Sequence, residues 1–527
     1  MTQSTLYETL QVAAVRRPDH PAIVMSGRDV SYAELLTQTD QIAASLVAIG
    51  VEPGDRLALM MSNGPEFVAS FVAISSIGAA MVALNMQLSR REITEILADA
   101  RIAHVLAGGE AVKKSMLQDL RGAHESCDGQ RMAVLGESSW DALIEQGVHT
   151  ERSKLDQRRS GVQADDVALI VYTSGSTGCP KGVVLTHRNI LRNVEQQNVH
   201  FRMTADVRQL WALPGSHVGG ATITVCSALI GAFTLVAMPT FDPEETLQLI
   251  VNGEIDFFGG VPTMFHMIIS HPSFGVHGPV RLQKTGVAGA ACPAALMRKI
   301  VAMSDETYTG YGMTETAGFI TYTRPDAPLE EMIDTVGVAD ERVELRIVDR
   351  EHRTLPAGAE GEVAVRSEMV TPGYLFQQEA SDEAIDSEGW YYSGDVGRLD
   401  ERGNLTLVGR SKQMYICGGN NVYPAEVEAL LVSHVQVAMV ACIAVSDAKM
   451  GEIGWAFVVP VDVSAVDEAE LEQHCRAGLA GYKVPAKFIF RDSLPLTSLG
   501  KIDRRALVVE IQQLRNQGAT ENGNSLG

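Results

Sequence analysis

The chain has no excess of positive charge: 43 Lys and Arg stand against 65 Asp and Glu, a net charge of −22 over 527 residues. A broad nucleic-acid or anionic-membrane surface is therefore not expected, although one basic cleft for a nucleotide remains compatible. It has no Cys-x-x-Cys pair. Its seven cysteines, at 127, 179, 226, 292, 417, 442 and 475, are odd in number and scattered, which points to reduced thiols in the cytoplasm and away from a zinc site. It has no basic start followed by an apolar stretch, so no signal peptide is read in Met1 to Leu10. It also has no unbroken apolar run of spanning length. Two uncharged runs near that length, 67–86 and 221–238, are interrupted by Gly78 and Gly231, and each reads as a buried helix turning into a buried strand.

What is present is enough apolar material for more than one core, 46 per cent of the residues, in a chain too long for one. Ser31 with Glu34 three residues on, flanked by Val30 and Leu35, predicts a capped helix start with a hydrophobic staple. Such helices alternate with short apolar segments at 23–25, 56–60, 104–106 and 256–258, a pattern that predicts α/β layers with largely parallel strands. Between 336 and 408 short strands at 343–348, 361–365 and 405–407 alternate with Pro/Gly turns, as in a small β-barrel. A new unit begins after Arg410: helix 424–433, strands 437–445 and 454–459, helix 468–479. Residues 516–527 lack apolar periodicity and are expected to be unstructured.

The densest chemical signal is Tyr172-Thr173-Ser174-Gly175-Ser176-Thr177-Gly178-Cys179-Pro180-Lys181-Gly182, set between β-branched pairs at 170–171 and 183–184. Glycines let backbone N–H groups turn toward an anion, hydroxyls add donors, and Lys181 adds a movable positive charge: a phosphate cradle on a tight strand-to-strand loop. The spacing is not that of a Walker loop, in which the lysine follows a glycine and precedes Ser or Thr.

This run resembles the phosphate loop of the adenylate-forming superfamily, which comprises acyl- and aryl-CoA synthetases, peptide-synthetase adenylation domains and beetle luciferases. Four more segments resemble that family in order: Gly310-Tyr311-Gly312-Met313-Thr314-Glu315-Thr316, Tyr392-Ser393-Gly394-Asp395, Gly409-Arg410-Ser411-Lys412 running on to Gly418–Glu428, and Pro495 to Ile502. The resemblance implies a large AMP-binding part, residues 1–410, and a small mobile α+β part, 411–515, swivelling at Lys412. It implies ATP, Mg2+ and CoA as reactants and cofactor. ATP or AMP would be held by Thr173, Ser174, Gly175, Ser176, Thr177, Gly178, Lys181, Gly289, Ala290, Ala291, Gly310, Tyr311, Gly312, Thr314, Asp395, Arg410 and Lys501. Tyr311 would offer its ring to adenine, Asp395 would accept the ribose hydroxyls, and Glu315 with Thr177 would hold the metal. Lys501 would bridge the carboxylate and the α-phosphate, with His217, Lys181 and Glu315 as further catalytic groups. Gly418 and Gly419 would let the pantetheine arm pass. Outside the family context each of these has an ordinary alternative: a surface lysine, a turn aspartate, a helix-start acid, a simple Gly-Gly turn.

Residues 214–231, around His217, contain no acid where peptide-synthetase domains carry an aspartate for the substrate amine, and no Lys or Arg occurs before Pro239. With Val218, Gly219, Gly220, Ile223, Val261, Ala288, Gly289, Gly310, Met313, Ala317 and Phe319 as the lining, the expected substrate is a hydrophobic monocarboxylic acid. Gly219 and Gly220 suggest a roomy channel. The departures from the family pattern are Cys179, Gln413 in place of an acid, and Asn420 where relatives often have Glu. The reading is an ATP-dependent acid:CoA ligase. A ligase loading a carrier-protein thiol, a nucleotide-binding sensor and a homodimeric assembly stay open.

Overall fold

The computed structural model describes residues 4–174, 180–447, 449–461, 467–497 and 500–523. Two large sheets share one core. The six-stranded sheet runs Arg131–Val134, His104–Gly108, Arg56–Met61, Ala80–Ala83, Val167–Ser174, Pro180–Thr186, parallel except for the last pair. Its strand Arg56–Met61 is apolar at every position from Leu57 because both faces are covered. Leu57, Leu59 and Met61 enter the core shared with the second sheet, while Ala58 and Met60 enter the core on the opposite face.

The nine-stranded sheet has six parallel strands at its centre, Ser304–Met313, Leu282–Val287, Phe257–Gly260, Arg208–Trp211, Thr234–Ala237 and Pro21–Met25. Antiparallel pairs flank them at both ends. Helix Tyr32–Ala48 starts as expected, with Ser31 and Glu34 exchanging cap bonds and Val30 and Leu35 both buried.

Both uncharged stretches resolve into helix and strand. Helix Pro65–Ser76 turns at Gly78 (φ +80°) into strand Ala80–Ala83. In the second, a π-helix over Ala221–Cys226 and a helix Ser227–Gly231 precede strand Thr234–Ala237. The left-handed residue there is Ala232 (φ +51°), not Gly231. A Cβ on Gly231 would lie 2.5 Å from the Phe233 ring, so that glycine answers to close packing. No helix among the described residues is long and apolar enough to cross a membrane.

In place of the expected small barrel, Glu344–Val348, Gly361–Arg366, Tyr391–Leu399 and Leu405–Arg410 form a four-stranded antiparallel sheet whose first and last strands do not pair. Closure is pre-empted at the last strand. Val336 N–H donates to Leu405 O and Leu405 N–H to Gly337 O (both 2.8 Å), while Tyr311 and Ile320 fill the core against one face.

The C-terminal unit is a five-stranded sheet sandwiched by helices. Along strand Val437–Asp447, Val440 and Cys442 pack with the helices Pro424–Val432 and Glu468–Gly478. Ala441, Ile443 and Val445 face the last helix. That helix extends from Arg504 to Gly523, so the expected unstructured tail is helical up to there: once a helix is nucleated, each further residue adds a backbone hydrogen bond without a second nucleation cost. Residues 524–527 lie outside the described residues.

Candidate active site

Strands Val167–Ser174 and Pro180–Thr186 form an antiparallel hairpin in which Thr173 faces Lys181. Gly175, Ser176, Thr177 and Gly178 lie outside the described residues, as does the side chain of Ser174. Lys181 sits at the closing end of the hairpin, its Nζ 4.9 Å from the centroid of the Tyr374 ring.

Asp395 and Arg410 are cross-strand partners on the four-stranded sheet, and Arg410 Nε donates to Asp395 Oδ1 at 2.8 Å. Asp395 is 5 % exposed, and its second oxygen accepts from the Tyr311 hydroxyl at 2.5 Å. Burial, and then the Asp395 charge, hold the Tyr311 phenol well above its usual range, so it stays a donor. Tyr311, expected at an adenine ring, is thus also the group that orients Asp395. Glu315, in a short turn Thr314–Thr316 after strand Ser304–Met313, accepts from the Tyr374 hydroxyl at 3.2 Å. Burial raises its carboxyl above the ordinary range. Among the described residues no three His, Cys, Asp or Glu gather into a metal cage. One hard carboxylate fits Mg2+, which takes one or two protein oxygens and completes its shell with phosphate and water.

Lys501 reaches the same cleft from the C-terminal unit. Its loop is closed by Thr497 N–H to Lys501 O (2.6 Å) and Gly500 N–H to Thr497 O (2.8 Å), and Thr263 Oγ1 donates to Gly500 O across the units at 2.7 Å. Gly289 is left-handed (φ +86°). A Cβ there would stand in tight contact with Val261 Cγ1 at 3.2 Å and in ordinary contact with Lys501 Cε at 3.4 Å, so it is the backbone conformation that asks for glycine beside the lysine. Ala288, Ala290 and Ala291 lie in the same bend after strand Leu282–Val287, the last two exposed. Desolvation, and then the Arg410 charge, lower the Lys501 ammonium, with Asp395 opposing. Burial and Lys501 push His217 down to about 4, which keeps its imidazole neutral near pH 7. Lys501, Arg410, Asp395 and His217 therefore converge on one cleft.

His217 precedes the short helix Val218–Gly220, which runs into the π-helix, a wide turn that recurs at functional sites. Thr222 Oγ1 donates to Val218 O (2.8 Å) and to Ala317 O (2.6 Å), and Ile223 lies against Gly318, so the His217 and Met313–Phe319 segments meet. Several glycines answer to backbone approach and not to channel width. A Cβ on Gly220 would fall 2.2 Å from Pro214 O, one on Gly310 2.5 Å from Thr321 O, and one on Gly312 2.0 Å from Gly318 O; at Gly219 the neighbour is the movable Leu213 side chain. Phe319 packs with Phe201 and Tyr322.

Gly418 (φ +59°) and Gly419 (φ +84°) form the two-residue turn of the hairpin Tyr415–Cys417/Asn420–Val422, the conformation such a turn demands. Lys412 lies in the exposed turn after Arg410. Sequence reasoning missed Thr263, Thr371 and Tyr374. The Pro372-Gly373 pair marked a turn beside the last two, and nothing in the sequence marked Thr263.

Against known proteins, residues 10–375 match the AMP-binding enzyme model and residues 426–501 the AMP-binding enzyme C-terminal domain. The long-chain-fatty-acid–CoA ligase FadD13 of Mycobacterium tuberculosis is 33 % identical, covering 94 % of this chain and 97 % of its own. The feruloyl-CoA synthase of an Amycolatopsis species is 34 % identical, covering 92 % and 94 %. The crystal structure of ATP-bound MatB from Rhodopseudomonas palustris superposes with a TM-score of 0.83 at 27 % identity, covering 96 % and 98 %. A cleft in which a buried aspartate–arginine pair, a neutral histidine and a lysine from a second unit meet thus occurs in a chain that belongs to the AMP-binding enzyme family, in its AMP-forming acid–CoA ligase branch.

Proposed function

We propose that this ligase activates a hydrophobic monocarboxylic acid, alkyl or aryl, as its acyl-adenylate and then transfers the acyl group to CoA. The observation that carries the reading is Lys501, held by the Thr263–Gly500 bond in the cleft it shares with His217, Arg410 and Asp395. A carboxylate has no stable leaving group. Attack of its oxygen on the α-phosphorus of ATP expels pyrophosphate and leaves a mixed anhydride. Attack of the CoA thiolate on the acyl carbon then expels AMP.

In the first step charge builds on the phosphoryl oxygens, and Lys501 and Lys181 supply positive charge for it at fixed points. Bound Mg2+, held on the protein side by Glu315, would supply further charge neutralisation. Asp395, pinned by Tyr311 and Arg410, would anchor the ribose. His217, neutral, can hydrogen-bond the substrate carboxylate without competing with Lys501 for its charge. The second step requires Lys501 to leave, and rotation at Lys412 would bring the Gly418-Gly419 hairpin toward the cleft.

The acid class rests on the uncharged stretch from Pro214 to Pro239 and on the apolar lining. The feruloyl-CoA and long-chain-fatty-acid–CoA enzymes among the relatives support it. An unpaired ammonium or second carboxylate buried there would cost several kcal/mol. In a carboxylic-acid panel read by pyrophosphate release, kcat/KM is expected to be at least roughly a hundredfold higher for the best hydrophobic monoacid than for its α-amino or dicarboxylate analogue, equal to about 2.7 kcal/mol. A diacid or amino acid at the top of the panel would overturn the pocket reading and leave the adenylation chemistry standing.

A further inference from the structure

The segment from Thr371 to Phe376 carries none of the motifs, yet it ties the Lys181 strand to Glu315. Thr371 N–H donates to Glu315 O at 2.7 Å and its hydroxyl to Val184 O at 2.5 Å. Val184 N–H donates to Gly373 O at 3.1 Å and Leu375 N–H to Gly182 O at 2.8 Å. The far end is clamped: Phe376 is left-handed (φ +54°) and 53 % exposed, with the guanidinium groups of Arg101 and Arg56 at 4.4 and 5.4 Å from its ring centroid. A bulky residue in that conformation is strained, and a surrounding structure must hold it there.

Tyr374 is what this strap presents. Its hydroxyl donates to Glu315 Oε1 at 3.2 Å while Lys181 Nζ lies 4.9 Å from its ring centroid, so the tyrosine stands between an ammonium and a carboxylate. Among the described residues Lys181 and Glu315 form no ion pair with each other. A ring face attracts an ammonium without consuming its N–H donors, and a phenol orients a carboxylate without neutralising it.

We infer that Tyr374 is a positioning residue that keeps Lys181 and Glu315 apart and aimed, so that the lysine's donors and the glutamate's charge both stay available for the polyphosphate and its metal. This rests on the adenylation reading for the roles of the two partners. Replacing the ring by a smaller side chain would let Lys181 collapse onto Glu315, and the pair would then have to be broken before nucleotide could enter.

The test is equilibrium ATP binding by calorimetry, without acid, with and without Mg2+. Tyr374→Leu is expected to weaken Mg2+-free ATP binding about tenfold, and adding Glu315→Gln to that variant is expected to recover most of the loss, because it removes the competing charge. Tyr374→Phe keeps the ring. It should bind Mg2+-free ATP within twofold of the parent, while the Mg2+ concentration for half-maximal enhancement of ATP binding rises about fivefold. Parental binding by Tyr374→Leu, or no recovery with Glu315→Gln, overturns the inference. Should the leucine variant fail to fold, an unchanged Mg2+ dependence in Tyr374→Phe overturns it alone. Absence of acid-dependent pyrophosphate release in the parent enzyme would instead count against the adenylation reading, which the binding measurements do not use.

Discussion

The hydroxyl of Thr263 donates a 2.7 Å hydrogen bond to the carbonyl of Gly500, the residue before Lys501. Thr263 belongs to helix Pro262–Ile269 of the large unit and Gly500 to the C-terminal unit, so one bond couples the placement of the lysine to the relative pose of the two. Gly500 is left-handed (φ +69°), and a Cβ on it would fall 2.8 Å from Thr263 Oγ1. Contact this close admits no larger residue without a shift.

Thr263→Val keeps the shape and removes the donor. A neutral hydrogen bond contributes about 1 kcal/mol, so adenylate formation should fall about fivefold. Thioester formation from supplied acyl-AMP should not slow, since the pose it needs no longer competes with the bond. Equal slowing of both half-reactions, measured separately, would assign Thr263 to folding alone.

Lys501→Ala should reduce adenylate formation by at least about a thousandfold, the scale of a lost charge at a developing oxyanion. The thioester step, begun from acyl-AMP, should stay within about threefold of the parent. Single-turnover pyrophosphate and acyl-CoA measurements separate the two, and comparable loss in both would mean that Lys501 does not leave the cleft between steps.

His187 is fully buried, and its Nδ1 accepts from Leu6 N–H at 3.2 Å. Burial lowers its imidazole from the ordinary 6.5 to about 4. On acidification the unfolded chain takes up this proton before the folded one does. The stability conferred by neutral His187 is therefore whole above about pH 6.5, is lost as pH falls toward about 4, and changes no further below that. His187→Asn should flatten the fall in Tm between pH 6.5 and 4.5 relative to the parent, and parallel curves would show that His187 does not drive it.

Much of the fold was legible because its signals are local. Ser31 and Glu34 cap a helix wherever they stand, and the 437–445 and 454–459 segments carry apolar residues that only a sheet covered on both faces can bury. The small sheet was misread as a barrel because closure is decided by which chain takes the free edge of Leu405–Arg410. That chain, at 336–338, carries no mark of its partner. The break at Ala232 was misplaced onto Gly231 for a related reason: a glycine signals permission for a turn, whereas the Phe233 ring decides what that glycine is for.

Sequence order and residue type determined the chemistry available here: a Gly/Ser/Thr-rich loop ending in Lys181, acids at Glu315 and Asp395, a far C-terminal lysine, and a stretch around His217 without charge. Only the tertiary structure decided which of these groups face one another. The Tyr311 hydroxyl goes to Asp395, Tyr374 parts Lys181 from Glu315, Thr263 holds the Lys501 loop, and Gly220 is a glycine because the Pro214 carbonyl leaves no room for a Cβ. Each of these pairings spans either dozens to hundreds of residues or a packing contact. Hydrogen bonds and close approaches depend on distances of a few tenths of an ångström, which the periodicity of a sequence does not encode.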